Sequence, residues 1–581
     1  MLLALLHALA CHAALATGNQ FPLEATQPFG LGASDLDNST APFIFNGLSS
    51  FLTQWPNTVH GTGHSIVPGV LHPFTLLYHA REDPLLPPSP EWLAWDPEMS
   101  YAIMVPRGGQ THLATYRTTR SATVLYFDGM AAAWGEGWLD SQHMFIYGMS
   151  KNGSKDISWW DDYGRAEKLC EWAKTRDVEG FVRMNAGFEI VWCDFKSPAL
   201  QLVSHLNITP PGTPERTSSP RFPHRDLLSL NPYEAESAIE DEFLEDPPKR
   251  PNRGPGGPGG GDRPGPGRGG GGGGPGRWFP RMSALAVTGT LEWIRAASHR
   301  SFSPQPHLTL SPAGMVTYYN PRLSSLAADR AGQPMRAHRL TNISATDAQS
   351  LVAEVESVLA RGPAGSGFDW GTAARDVVEY WGDRIAHMEA YLRNTSDPRA
   401  NATAALPAIR TLAYTLLNPY MQPGLTPNAS GYELFFGAPG ADALAFGANT
   451  TALERCTYQA TGFLSQFDAQ MTPQETLLQT TIETVLARLC TDFGVIFAQS
   501  SNLVELASGV DPRPFVGQWA QRVEDLMQWL DWATWLRCED VCPRDYVCST
   551  PLWPIAWFRR WGESPTDDDD FLKPRCMRMA V

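Results

Sequence analysis

Residues 122–129 (ATVLYFDG) and 188–195 (FEIVWCDF) decide the fold of the first half of the chain. Each is a short run of apolar, β-branched and aromatic residues bounded by turn signals, a pattern that predicts β-strands. The same pattern occurs at residues 74–79 (FTLLYH) and 144–147 (MFIY). The sequence therefore predicts a sheet in this half.

Helical patterns in the first half are few. Residues 164–173 (GRAEKLCEWA) have helical periodicity, and residues 92–104 (WLAWDPEMSYAIM) are typical of a short strand that runs into a helix. Strands with occasional helices predict an α+β domain, which we assign to residues 17–233.

A segment that cannot form a core follows this domain. Residues 247–277 consist almost entirely of Pro, Gly and Arg, and residues 234–246 are acidic. Such a composition buries too little apolar surface to fold, so we predict a disordered linker over residues 234–277.

Beyond the linker the apolar residues repeat at helical spacing. Thr472-Pro473-Gln474-Glu475 has the form of a capping box with proline at the first helical position, and Thr346-x-x-Gln349 precedes another helical pattern. Further helices fit Asp369–Leu392 and Pro514–Leu536. The sequence predicts a mainly α-helical domain over residues 278–581, with a disulfide-rich C-terminal segment.

The N-terminus has the features of an export signal. Leu2–Leu9 is an apolar stretch broken only by His7, and Ala14-Leu15-Ala16 is a small-x-small cleavage site, which predicts a signal peptide over residues 1–16. Secretory glycosylation could use eight sequons: Asn38, Asn152, Asn207, Asn342, Asn394, Asn401, Asn428 and Asn449. The sequence predicts a secreted, extracellular glycoprotein.

Cleavage of the signal removes Cys11 and leaves eight cysteines, an even number suited to disulfides in an oxidising compartment. Cys170 and Cys193 are the two in the first half, so we expect them to pair. Cys456 and Cys490 flank a loop and a helix and are a second expected pair. The last four are expected to form two more bridges, with a zinc site as the disfavoured alternative: Cys538, Cys542, Cys548 and Cys576.

Charge limits the classes of partner. The formal net charge is −16, and residues 247–277 carry a net charge of +5, so the rest of the chain carries −21. Such a field repels nucleic acid, and no later stretch approaches the roughly 18–20 apolar residues of a membrane-spanning helix. We expect no nucleic-acid partner and no membrane span, and an unidentified protein or small molecule as the target.

The order of motifs between residues 76 and 195 resembles the ADP-ribosyltransferase superfamily of the kind that includes the poly-ADP-ribose polymerases. The resembling segments are the strands LLYHAR (76–81), VLYFDG (124–129) and FEIVWCDF (188–195), with residues 92–104 between the first two. The resemblance covers about a fifth of the chain. It implies a split-sheet fold and NAD as the substrate, with no other cofactor.

Carried over to this sequence, the resemblance implies that Glu189 and His79 are catalytic. A carboxylate at Glu189 would stabilise the oxocarbenium-like state in which the nicotinamide–ribose bond breaks, and His79 would hydrogen-bond the adenosine ribose. Ala80 departs from the family, which has glycine after this histidine. The residues that would contact NAD are Tyr78, Arg81, Trp92 and Tyr101.

The same residues have structural interpretations. Glu189 is equally typical of the solvent-facing position in an alternating strand, and His79 of a half-buried histidine bonded to the backbone. A separate motif, His60-x3-His64 with His79, could bind a metal or serve a ribonuclease, although Gly61 and Gly63 favour a loop. We assign no metal site.

The whole chain also resembles a group of uncharacterised secreted fungal proteins. The resembling stretches are Thr75–Arg81, Pro90–Tyr101, Leu125–Met130, Leu139–Gln142, Gly180–Met184 and Gln528–Trp535. This resemblance implies a shared architecture and secretion but no activity. The expected function is NAD binding with ADP-ribose transfer or NAD hydrolysis, and the alternative is a non-catalytic extracellular glycoprotein that acts as a wall or surface binding scaffold.

Overall fold

The computed structural model describes residues 39–105, 109–133, 135, 137–148, 161–213, 284–423, 429–437, 450–464, 470–506, 510–538, 540–550 and 573–578. The predicted signal peptide and linker lie outside these residues. Four of the sequons also lie outside them: Asn38, Asn152, Asn428 and Asn449. The side chains of the other four are exposed: Asn207, Asn342, Asn394 and Asn401.

Twelve strands and fourteen α-helices are formed by the described residues. The strands are β1 Ser65–Leu71, β2 Leu76–Arg81, β3 Glu91–Ala94, β4 His112–Thr118, β5 Ala122–Phe127, β6 Gly180–Met184, β7 Phe188–Trp192, β8 Leu200–Asn207, β9 Leu308–Leu310, β10 Val316–Thr317, β11 Tyr546–Ser549 and β12 Arg575–Arg578. The helices are α1 Ala41–Ser49, α2 Gln54–Val59, α3 Pro97–Met104, α4 Asp140–Tyr147, α5 Asp162–Ala173, α6 Ala284–Arg300, α7 Ala327–Arg330, α8 Ala345–Arg361, α9 Trp370–Thr395, α10 Ala402–Leu417, α11 Gly431–Phe436, α12 Ala452–Tyr458, α13 Pro473–Leu506 and α14 Arg513–Leu530.

The architecture is mixed α+β, with a sheet formed mainly by the first half and a mostly helical later region. Ten of the described strands form one sheet in the order β10-β1-β5-β6-β7-β3-β2-β4-β8, and β9 also pairs with β1. The β5–β6 pair is parallel and the other pairs are antiparallel. Strands β11 and β12 form a separate pair.

The main core of the sheet lies beneath three helices. Phe127 and Phe181 on the strands pack with Phe145 of α4, Leu169 of α5 and Val355 of α8, and all five are buried. Helix α8 faces this core because Leu351, Val355 and Val358 recur at helical spacing.

The chain divides into two compact units, and their bounds differ from the predicted domains. The sheet unit comprises Asn46–Arg375, Ala469–Leu478 and Trp532–Val581, and the helical unit comprises Met1–Phe45, Asp376–Asp468 and Gln479–Asp531. Residues after the predicted linker thus join the sheet unit, because β9 and β10 supply hydrogen-bonding partners for β1.

Two local predictions are corrected by the structure. Residues 144–147, predicted as a strand, are the last turn of α4, which ends at Gly148 with a left-handed φ of 65°. The helix predicted to open at Thr346 begins at Ala345 instead, because the Ser344 side chain accepts the hydrogen bond of the Asp347 N–H. The capping box at Thr472 and Glu475 is present, with bonds of 3.1 Å and 2.8 Å.

In the helical unit, long helices bury aromatic and aliphatic side chains. Trp381 of α9 contacts Phe493 of α13 edge to face at 5.5 Å, and Trp519 of α14 donates to the Gln499 side chain at 2.7 Å. Among the described residues, no helix combines the length and apolar character needed to cross a bilayer.

The structure has four disulfides, and their pairing agrees with the expectation. Cys170 bonds Cys193 and Cys456 bonds Cys490. The sequence did not decide how the last four cysteines pair, and the structure pairs Cys538 with Cys548 and Cys542 with Cys576. The second bridge joins the segment before β11 to β12.

We predict that replacing Cys170 and Cys193 together by alanine lowers the free energy of unfolding by roughly 3 kcal/mol, because the bridge closes a loop with a sequence separation of 23. Urea unfolding measures this loss, and non-reducing peptide mass mapping tests all four pairs. Free thiols or stoichiometric zinc in protein purified through the secretory route of a host cell would contradict the pairing.

Candidate functional site

Apart from Tyr101, the residues predicted to bind NAD lie on neighbouring strands, but they do not share one face. Tyr78 of β2 is directly opposite Ala94 of β3, and Ala94 is directly opposite Glu189 of β7. Opposite residues in antiparallel strands point to the same face and successive residues to opposite faces, so Glu189 shares a face with Tyr78 and not with His79. The cleft that the resemblance implies would need His79 and Glu189 on one side of the sheet, and the register places them on opposite faces.

Both predicted catalytic side chains have internal partners. His79 is buried, and its Nδ1 lies 2.7 Å from the carbonyl oxygen of Trp92, in accord with the structural interpretation. Glu189 is 7% exposed, so it is not the solvent-facing position of its strand either. Its Oε1 accepts from Arg183 Nε at 2.9 Å.

Glu189 belongs to a buried carboxylate–arginine network formed by Asp162, Arg165, Arg183 and Glu189. Arg183 donates to both carboxyl oxygens of Asp162 at 2.9 and 2.8 Å, and Arg165 donates to Asp162 at 2.7 Å. Burial raises the pKa of Glu189 to about 7 against the opposing effect of Arg183. Burial opposes ionisation of Asp162 too, but the two arginines lower its pKa to about 2. Two cations face two carboxylates, an arrangement suited to structural pairing.

Of the other predicted NAD contacts, Trp92 adjoins this network, Arg81 pairs with a neighbouring aspartate, and Tyr101 lies on α3. The Trp92 ring contacts the Tyr163 ring edge to face at 4.6 Å and has the Arg183 guanidinium carbon 5.3 Å from its centroid. Arg81 donates to both carboxyl oxygens of Asp83 at 3.0 Å. Tyr101 is half-buried on α3.

A second cluster of buried polar groups, which we call the histidine–arginine centre, consists of His64, Asp128, Tyr319, Arg330 and His338. His64 immediately precedes β1, Asp128 follows β5, and the other three follow β10. The pairing of Ser65 with Thr317 brings these segments together, and the Tyr318 N–H donates to the His64 carbonyl at 2.7 Å.

Asp128 fixes the position of His64. Its Oδ1 accepts from the backbone N–H groups of His64 and Ser65, both at 2.7 Å. The backbones pack so closely here that a Cβ at Gly63 would lie 2.0 Å from the carbonyl oxygen of Asp128. Burial raises the pKa of Asp128 to about 6, although these hydrogen bonds favour its ionised form.

The hydrogen bonds determine the tautomer of each histidine. His64 Nδ1 lies 2.8 Å from the Thr62 carbonyl, which can only accept, so Nδ1 carries the proton and Nε2 has the lone pair. His338 Nε2 likewise donates to the Gln333 carbonyl at 3.0 Å, so its Nδ1 accepts from the Tyr319 hydroxyl at 3.0 Å. Burial, with Arg330 nearby, lowers the pKa of His64 well below its ordinary value and that of His338 to about 4, so both are neutral at pH 7.

Arg330 supplies the positive charge of the centre. Its guanidinium carbon lies 4.4 Å from the Tyr319 ring centroid, and the His64 ring stacks on the same tyrosine at 4.3 Å. Nη1 donates to the Tyr318 carbonyl at 2.7 Å, but Nε and Nη2 are buried and have no hydrogen-bond partner in the part of the chain that the structure describes. Arg330 forms no ion pair with any described carboxylate. The Nε2 of His64 is also buried without a described partner.

The sequence motif His60-x3-His64 pointed to part of this centre, but His79 is not in it. Tyr319, Arg330 and His338 were missed because about 250 residues separate them from His64 and no local spacing connects them. Within the described residues, one group of three potential metal ligands has its donor atoms within 4.8 Å of one another. It consists of Cys538, Cys542 and Cys548, which are in disulfides. The histidines of the centre therefore form no described metal cluster.

Part of the chain is similar to uncharacterised fungal proteins. A family model described as the YPL277C N-terminal domain matches residues 31–109 and 103–215. Two proteins of Saccharomyces cerevisiae (strain ATCC 204508 / S288c) are each 31% identical over 30% of this chain: uncharacterized protein YOR389W, of which 35% is covered, and uncharacterized protein YPL277C, of which 45% is covered. The chain thus spans less than half of either relative, and no solved structure matches it. These matches do not show the ADP-ribosyltransferase resemblance.

Glu91 gives a prediction on pH dependence. Its carboxylate is 1% exposed and accepts from Tyr163 at 3.1 Å, and burial raises its pKa to about 7. The unfolded chain releases this proton near the ordinary glutamate pKa of 4.5. The contribution of Glu91 to the free energy of unfolding therefore falls as the pH rises from 4.5 to about 7. We predict that Glu91→Gln removes this decline and is more stable than wild type at pH 8, by roughly 1–3 kcal/mol.

Urea unfolding between pH 4 and 8 measures the difference, with Glu171→Gln on the exposed side of α5 as the control. Parallel pH profiles for Glu91→Gln and wild type would contradict the prediction.

Proposed function

We propose that this chain is a secreted glycoprotein whose sheet unit binds a small oxyanion at the histidine–arginine centre. The observation that carries the proposal is the buried guanidinium of Arg330, which has two N–H donors without described hydrogen-bond partners and forms no ion pair with a described carboxylate, although Asp329 is its neighbour in sequence. The export signal, the exposed sequons and the disulfides support the secretory part of the proposal.

The energetics favour an anion beside Arg330. A buried charge without a counter-ion costs several kcal/mol, and each buried donor left unpaired costs about 1–3 kcal/mol. The contact with the Tyr319 ring and one bond to a carbonyl offset only part of that cost. An oxyanion would pair with Nε and Nη2 in the bidentate geometry that guanidinium groups favour.

His64 narrows the class of ligand. Its neutral Nε2 is an acceptor, so it would bind an oxyanion that also carries a hydroxyl hydrogen. Hydrogen phosphate, phosphate monoesters in their monoanionic form and α-hydroxy acids have this combination, whereas sulfate at neutral pH does not. In such a complex His64 could also accept the ligand's proton, as a general base does.

NAD binding is not the function that the geometry favours. Glu189 is held by Arg183 and points to the opposite face from His79. A non-catalytic scaffold that recognises an anionic wall or surface group would use the same centre, and it differs from an enzyme only in releasing the ligand unchanged. Incubation with NAD is a direct control, and we expect no nicotinamide release.

We predict that phosphate raises the melting temperature of the wild-type protein at low ionic strength more than sulfate does. At a phosphate concentration about 100 times its Kd the stabilisation is about 2.7 kcal/mol. Arg330→Met should lose this gain, because no guanidinium remains to pair with the anion. His64→Phe should lose the preference for phosphate over sulfate, because it has no acceptor for the ligand's hydrogen.

The matched control is Arg336→Met, which removes an exposed arginine from the same segment and should respond as wild type does. A structural role for Arg330 predicts that Arg330→Met destabilises the anion-free protein. The proposed role predicts an anion-free stability equal to or above wild type, because an uncompensated buried charge has been removed. Equal responses of wild type and folded Arg330→Met to phosphate would refute the site.

A further inference from the structure

We propose that an N-linked glycan on Asn207 shields the exposed edge of the sheet and keeps the protein from associating through strand β8. This inference rests on the secretory part of the proposed function and is independent of the anion site. It concerns one sequon among the eight, selected by its position in the fold.

Strand β8 is an unprotected edge. It pairs with β4 on one side and ends the sheet on the other, where no described strand pairs with it. Two of its apolar side chains are more than half exposed, Val203 at 54% and Leu206 at 56%. A row of unpaired backbone groups with exposed apolar side chains is a template for pairing with another chain.

Most of the usual devices that protect an edge strand are missing from this one. Residues 200–207 (LQLVSHLN) contain no proline, no lysine and no other charged residue apart from the titratable His205. The strand is eight residues long, and a register shift opposite Thr115 and Tyr116 is its one irregularity. The opposite edge of the sheet ends in β10, which has only two residues.

Asn207, the last residue of β8, is arranged as a glycan acceptor. The residue is exposed, and its Oδ1 accepts from the Thr209 N–H at 3.0 Å and from the Thr209 hydroxyl at 2.5 Å. The carboxamide oxygen is thereby turned towards the chain, and Nδ2, the atom that carries a glycan, has no hydrogen bond among the described residues. Asn and Thr of the sequon Asn207-Ile208-Thr209 are thus already in contact.

A glycan at this point would prevent pairing with another chain, as charged residues or bulges do on other edge strands. It is bulky and strongly hydrated, and it starts at the end of the unpaired strand. A second copy could not bring its own β8 alongside without displacing the glycan. The modification would therefore favour the monomer without changing any contact inside the fold.

The test compares three variants of the full chain secreted from a eukaryotic host. Asn207→Gln removes the proposed glycan, and Asn342→Gln removes an exposed sequon that is not on a strand. Asn207→Gln with Val203→Lys restores protection by placing a charge on the edge. Glycopeptide mapping gives the occupancy of each site, and size-exclusion chromatography with light scattering gives the mass in solution.

We expect Asn207 to be occupied, Asn207→Gln to lose the monomer in favour of larger species, and both Asn342→Gln and the Val203→Lys double variant to stay monomeric. Glycans at other sequons with Asn207 bare would overturn this inference and leave the secretory proposal intact. A folded Asn207→Gln variant that stays monomeric would also overturn it. No glycan at any sequon would refute the secretory proposal together with this one.

Discussion

The pairing of β1 with strands from both parts of the chain is the constraint on which the sheet unit depends. Strand β1 pairs with β5 on one side and with β9 and β10 on the other. Its two sides are therefore satisfied by residues that lie on opposite sides of segment 234–277. Because Ser65 pairs with Thr317, the residues just outside that pair, His64 and Tyr318, become neighbours. The histidine–arginine centre is a direct product of this register, and a shift of one residue would reverse the face of each side chain.

The unit contains two buried charge clusters, and their charge balance separates structure from candidate function. In the carboxylate–arginine network, Arg165 and Arg183 face Asp162 and Glu189, and each carboxylate accepts hydrogen bonds from these arginines. The charges of this network are therefore balanced within the set. Arg330 has one hydrogen bond to a backbone carbonyl and one aromatic contact, and its charge has no ion-pair partner among the described residues. A buried charge without a counter-ion is costly, so the histidine–arginine centre would gain by binding an anion.

The sequence predicted those strands and helices that short local residue patterns determine. Runs such as 76–81 and 188–192 are strands because β-branched and aromatic residues favour the pleated, buried state, and Pro97 starts a helix as proline at a first turn does. The strand prediction for residues 144–147 was wrong because four apolar residues fit a buried helical turn as well as a strand. Register and long-range pairing are absent from local patterns, so the opposite orientations of His79 and Glu189 could not be predicted.

The extent of the family match has a consequence for the centre. The matched residues, 31–109 and 103–215, include His64 and Asp128. His64 supplies the acceptor atom Nε2, and Asp128 holds the His64 backbone in place. The charge and the second histidine come from Arg330 and His338, which lie beyond the match. The matched segment therefore supplies a positioned histidine but not the cation that would give it an anionic ligand. It also leaves one side of β1 without its partners β9 and β10. In this chain, completion of the sheet and completion of the proposed site thus depend on the same later residues.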